Sequence, residues 1–118
     1  MERISETNAK LIAKFIDDHK GGSTILMDVS LASGWTDWFI ITTVRSSAHM
    51  RGMLRMLHEY LDELGISMPR RMRQRDDTGW ELLDCGDIII HLMTEEMRSF
   101  YDLEHLWYMG KVEEFHSS

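Results

Sequence analysis

The chain is 118 residues long, with 13 Lys and Arg against 20 Asp and Glu, a formal net charge of −7, one proline and 43% apolar residues. A chain of this size buries roughly two-thirds of its unfolded surface in one core, which excludes separate catalytic and binding domains and any collagen-like, low-complexity or disulfide-scaffold reading. Its acidity argues against sequence-independent clamping of nucleic acid, which relies on Lys and Arg neutralising phosphates, and points to basic partners instead.

No run approaches the ~18 apolar residues of a membrane-spanning helix. Met1 to Lys20 mixes both charge signs and lacks the apolar block and small-residue cleavage site of a signal peptide. Cys85, the single cysteine, cannot form an internal bridge and suits a reducing compartment. Together these predict a soluble cytoplasmic protein.

Between Ser5 and Lys20, Ala9, Leu11, Ile12, Ala13, Phe15 and Ile16 recur at helical spacing, and Gly21 and Gly22 stand where that helix should end. Thr24 to Val29 is short, apolar and partly β-branched, a strand; Leu31 to Gly34 is a loop. Trp38 to Val44 is continuously apolar, aromatic or β-branched, which predicts a central strand covered on both faces. From Ser47 to Leu64, Met50, Met53, Leu54, Leu57, Leu61 and Leu64 mark one helix face, with Ser46 or Ser47 as cap and Gly65 as stop.

Ile66 to Met72 reads as a short edge strand, because Pro69 cannot donate to a central ladder and Arg70, Arg71, Arg73 and Arg75 suit an exposed edge. Asp76 to Gly79 is a turn, followed by Trp80–Asp84 and Asp87–Met93, two strands of a tight hairpin around Cys85 and Gly86. Thr94 with Glu95 and Glu96 opens a last helix, which Phe100, Leu103, Leu106 and Trp107 continue. Residues 1–110 therefore form one domain, and 111–118 a loose tail. Three helices among runs of strands specify an α+β fold with a mixed sheet.

Catalytic chemistry finds little support. Gly21-Gly22-Ser23-Thr24 lacks the lysine of a phosphate loop and follows a helix rather than a strand. The six histidines show no metal-ligand spacing, so neither metal nor cofactor is expected. Cys85 lies between Asp84 and Asp87, whose charges suppress a thiolate. No nucleophile elbow surrounds any serine. Asp28, Asp37, Asp84 and Asp87 border strands without an Asp-x-Asp pair. A metal-dependent, nucleotidyltransferase-like enzyme built on Asp28, Asp37 or Asp87 is the competing reading. What folding leaves unexplained is the mixture of rings and charges near the carboxyl end: Trp80, Tyr101, His105, Trp107 and Tyr108 among Glu95, Glu96, Arg98, Asp102 and Glu104. Such a mixture suits either an interface or a helix docked on the sheet with its charges in solvent.

Four ordered blocks carry a resemblance: Ser33 to Ile41 (Ser-Gly-Trp-Thr-Asp-Trp-Phe-Ile-Ile), Ser46-Ser47 with His49, Trp80 to His91, and Phe100 to Trp107. Over about Ala9 to Trp107 the chain resembles the Iojap-like ribosomal silencing factors. That resemblance implies a five-stranded mixed β-sheet packed with helices, a nucleotidyltransferase-like fold without its catalytic residues. It further implies a non-enzymatic regulator that binds the large ribosomal subunit through ribosomal protein L-fourteen. Docked there, it blocks joining of the small subunit and represses translation under nutrient limitation. By match to the family's binding region, Trp80 and Cys85 on the hairpin, with Arg98, Tyr101, Glu104 and His105 on the last helix, are expected to contact the partner. Related proteins pair, which implies a homodimer when free, through an edge strand or the methionine-bearing helix face. The arginine cluster either protects a sheet edge, the favoured reading, or makes a minor contact with ribosomal RNA.

Overall fold

The computed structural model describes residues 4–31, 34, 36–66, 70–72, 79–106 and 112–115. Helix α1 (Ile4–Asp18) is followed by strands β1 (Gly22–Asp28) and β2 (Trp38–Thr43), then helix α2 (Ser47–Glu63). Strands β3 (Arg70–Met72), β4 (Trp80–Asp84) and β5 (Ile88–Met93) come next, then helices α3 (Glu95–Tyr101) and α4 (Leu103–Leu106) and strand β6 (Val112–Phe115). The expectations for Arg73, Arg75, the turn residues Asp76 to Thr78, Trp107 and Tyr108 fall outside the described residues.

The strands form one mixed sheet in the order β3-β4-β5-β2-β1-β6. Only β2 and β5 run parallel among the described pairs, from Trp38↔Ile88 to Thr43↔Met93. Their connection carries α2, β3 and β4, since parallel neighbours need a long crossover. This central pair accounts for the unbroken apolar sequences. Side chains alternate between faces along a strand, so Trp38, Ile40, Ile88, Ile90 and Leu92 meet α1 and α2 in one core. Phe39, Ile41, Ile89 and Met93 enter a second core with Leu103 on the opposite face.

Helix α2 has the expected cap and face. The Ser46 hydroxyl accepts the His49 backbone N–H at 3.0 Å, and Met50, Met53, Leu54, Leu57 and Leu61 are buried. Met50 and Met53 therefore serve the core, and the methionine face is not a surface for a second copy. The end of α1 differs in detail from expectation. Lys20 takes the left-handed conformation (φ 77°), and Gly21 serves a close approach instead. A Cβ on Gly21 would lie 2.5 Å from both Ile16 Cγ2 and Thr42 Oγ1, where Thr42 shares a buried 2.7 Å hydrogen bond with Thr24.

The five expected strands are present, and a sixth lies where a tail was expected. Residues 112–115 pair with the outer edge of β1, from Thr24↔Phe115 to Met27↔Val112. The buried Ile25, Leu26 and Met27 make β1 an interior strand needing a neighbour on that edge, whereas Val-Glu-Glu-Phe is too short and charged to announce one. The last helix also departs from expectation. It breaks at Asp102, whose left-handed backbone (φ 47°, ψ 56°) separates α3 from α4, a conformation Asp tolerates better than most residues.

Candidate protein-docking surface

Strand β4 begins at a steric joint. Gly79 (φ 78°) accepts the Thr94 N–H at 2.8 Å, and a Cβ there would meet Thr94 Oγ1 at 2.9 Å. Only glycine lets the start of β4 press so closely on the cap of α3. Thr94 in turn caps α3 by accepting the Met97 N–H. This joint brings Trp80, the next residue, beneath α3, and its ring lies 4.9 Å from that of Tyr101 at an interplanar angle of 49°. Phe100 meets Tyr101 edge-on at 5.0 Å. The result is a run of three rings, Trp80, Tyr101 and Phe100.

Two of the three rings are open to solvent. Phe100 is 79% exposed and Tyr101 42%, while Leu106, one short helix further on, is 71% exposed. No residue of α3 is fully buried: Met97 packs, half-buried, against the second core, and Phe100 and Tyr101 are left facing solvent. Glu95, Glu96, Asp102 and His105 are exposed around these groups. An apolar centre with an acidic rim is the anatomy of a protein interface.

Arg98 holds this surface from below. Its guanidinium donates from Nε to Glu104 Oε1 and from Nη2 to Glu104 Oε2, both at 3.2 Å. Nη1 donates to Thr43 Oγ1 at 3.0 Å and to the Gly22 carbonyl at 3.3 Å. With its side chain only 10% exposed, Arg98 fastens α3 to α4 and both to the ends of β1 and β2. Arg98 and Glu104, both expected to contact the partner, spend their charge on each other, because the bend at Asp102 folds α4 back toward α3.

Trp80 is half-buried, and its Nε1–H donates to His91 Nδ1 at 3.1 Å. His105 is exposed, 3.7 Å from Asp102. Cys85 does not join these residues. It lies an odd number of positions from Trp80, so it faces the other side of β4 and packs against the core formed by α1 and α2, roughly 17 Å along the strand. Burial, reinforced by Asp84, pushes its thiol up to about 11. The odd spacing was visible in the sequence. Phe100 and Leu106, which the apolar spacing assigned to a continuing helix, are exposed on either side of the break at Asp102. His91 carried no signal beyond being a polar residue within an apolar strand.

Of the acidic residues of the enzymatic alternative, Asp28 is engaged locally: its Oδ1 accepts the Ser30 N–H and hydroxyl at 3.0 and 2.6 Å, and at the hairpin turn Asp84 Oδ1 likewise accepts the Gly86 N–H at 2.9 Å. Among the described residues, no three His, Cys, Asp or Glu side chains converge as a metal site. None of the described helices is long and apolar enough to cross a membrane.

A family model described as ribosomal silencing factor during starvation matches residues 2–117. The ribosomal silencing factor RsfS of Treponema pallidum is 33% identical over 100 residues, covering 84% of this chain and 88% of its own. That of Bacillus subtilis is 31% identical over 98 residues, covering 83% and 82%. Among solved structures, a Chromobacterium violaceum protein superimposes with a TM-score of 0.78 at 27% identity, covering 93% of this chain and 90% of its own.

Proposed function

The chain belongs to the ribosomal silencing factor family, and from that premise we propose that it docks on ribosomal protein L-fourteen of the large subunit and bars the small subunit. It works in the cytoplasm by occupying space, catalyses no reaction, and represses translation when nutrients are limiting. The observation that carries this reading is the exposed group Phe100, Tyr101 and Leu106 beside Trp80, rimmed by Glu95, Glu96 and Asp102. Rigid aromatics supply contact area at low entropic cost and dominate interface energetics, at about 2 kcal/mol or more for a central anchor. The acidic rim steers the surface toward a basic protein, and the net charge of −7 disfavours stray RNA.

Trp80, Tyr101 and His105 touch the partner, with Phe100 and Leu106 joining them. Arg98 and Glu104 keep the helices in place. Cys85, on the far face of β4, supports the hairpin. Free of the ribosome, two copies pair through a sheet edge, which light scattering across a concentration series tests.

Incubation of the protein with purified subunits, followed by a density gradient, tests the main reading. The wild type is expected to migrate with the large subunit and to lower the yield of joined ribosomes, and Tyr101→Ala to lose both effects while keeping its circular dichroism spectrum. Undiminished joining in the presence of saturating wild type would refute the proposal.

A further inference from the structure

We infer that His91 is a positioning residue for docking: by accepting the indole N–H of Trp80, it orients that ring against Tyr101 and presents its carbon surface to the partner. This rests on the docking role proposed for Trp80.

The chemistry of the pair fixes its polarity. An indole N–H only donates, so His91 Nδ1, 3.1 Å away, must be unprotonated, and the neutral ring carries its proton on Nε2. Phe39 packs edge-on to the imidazole at 4.6 Å, and His91 is only 3% exposed, so the ring has little freedom to turn. Burial pushes its pKa down to about 4, which keeps it neutral through the physiological range. The acceptor is therefore constant.

The same arrangement leaves His91 Nε2 buried without a hydrogen-bond partner. A buried donor in that state is unfavourable, and an apolar side chain at this position would not incur it. Folding alone thus favours an apolar residue here, as at the neighbouring Ile89, Ile90 and Leu92. Trp80 is half-buried with its N–H aimed at His91, so what the histidine supplies to the ring is orientation. From Nδ1 the constraint passes to the indole, and from the indole to Tyr101 at 4.9 Å.

The test compares the full-length wild type with His91→Phe, His91→Asn and Trp80→Ala in binding to purified large ribosomal subunits. Melting temperature and the indole N–H resonance of Trp80 are followed in parallel. Asn places its carbonyl near the position of Nδ1, whereas Phe fills the space without an acceptor. His91→Phe is expected to bind roughly tenfold more weakly, the effect of about one lost hydrogen bond at an anchor, with a melting temperature equal to or above that of the wild type. His91→Asn should stay within about threefold of the wild type, and Trp80→Ala should lose far more than tenfold.

Wild-type binding by His91→Phe, with binding lost in Trp80→Ala, would overturn the inference and leave the docking role standing. Wild-type binding by Trp80→Ala would overturn the docking role and the inference with it. If His91→Phe fails to fold, the other two measurements decide: binding lost in His91→Asn, or a proton on Nδ1 in the wild-type nitrogen spectrum, overturns the inference.

Discussion

Replacing Arg98 by alanine removes four hydrogen bonds that join α3, α4, Gly22 and Thr43. Breaking a buried ion pair by deleting one partner costs about 3–5 kcal/mol, chiefly because the other charge is stranded. Glu104 keeps 36% of its side chain exposed, so water recovers part of that loss. The expected destabilisation is therefore about 2–3 kcal/mol, which lowers the melting temperature of a domain this size by roughly 10 °C or more. Arg98→Lys keeps the charge, but a single ammonium cannot grip both Glu104 oxygens while reaching Thr43 and Gly22, so it should recover less than half. A thermal-melting double-mutant cycle with Glu104→Ala isolates the pair and should give a coupling of about 1–2 kcal/mol. Hydrogen exchange should accelerate first in α3. If Arg98→Ala melts within about 2 °C of the wild type, or the coupling is near zero, Arg98 is not a clamp and its inward placement is wrong.

Other outcomes follow from the same physical reasoning. Phe100→Ala should leave stability within about 0.5 kcal/mol of the wild type, because the ring is 79% exposed, while weakening large-subunit binding in a sedimentation assay. Gly21→Ala should lose about 1–3 kcal/mol in urea unfolding, since its methyl group meets Ile16 and Thr42 at 2.5 Å. The Cys85 thiol, raised from 9.0 to about 11, should react with a thiol reagent at pH 8 roughly 100-fold more slowly than a free cysteine of the unraised value, from thiolate fraction alone. For His91 the folded pKa, about 4, lies below the unfolded 6.5, so the unfolded chain binds the extra proton between those values. Stability from this group is complete above pH 6.5 and lost as the pH falls toward 4, by up to about 3 kcal/mol, and His91→Phe should flatten that part of a urea-midpoint profile.

Much of the architecture was legible in the chain because it depends on local pattern. The apolar period of α2 with its Ser46 cap, the unbroken β2 and β5, and the turn at Cys85-Gly86 each reflect neighbours within a few residues, and each appears where the pattern put it. The candidate surface was legible only in part. Tyr101, Trp80 and the surrounding acids were readable as a concentration of rings and charges, but Arg98 read as a contact for the partner and not as an internal clamp. Its partners Thr43 and Gly22 lie 55 and 76 residues away, a separation at which no periodic signal survives.

Residue type and spacing thus determined, without coordinates, that the chain is acidic, where α1, α2 and strands β1 to β5 lie, and which family's motifs it carries. Tertiary structure alone decided that Arg98 turns inward, that Phe100 and Leu106 face water, and that 112–115 closes the sheet. Each depends on what lies nearby in space: the ends of β1 and β2 for Arg98, the open edge of β1 for 112–115. Burial is a property of assembled surfaces, so apolar spacing alone does not decide whether a phenylalanine enters the core or faces water.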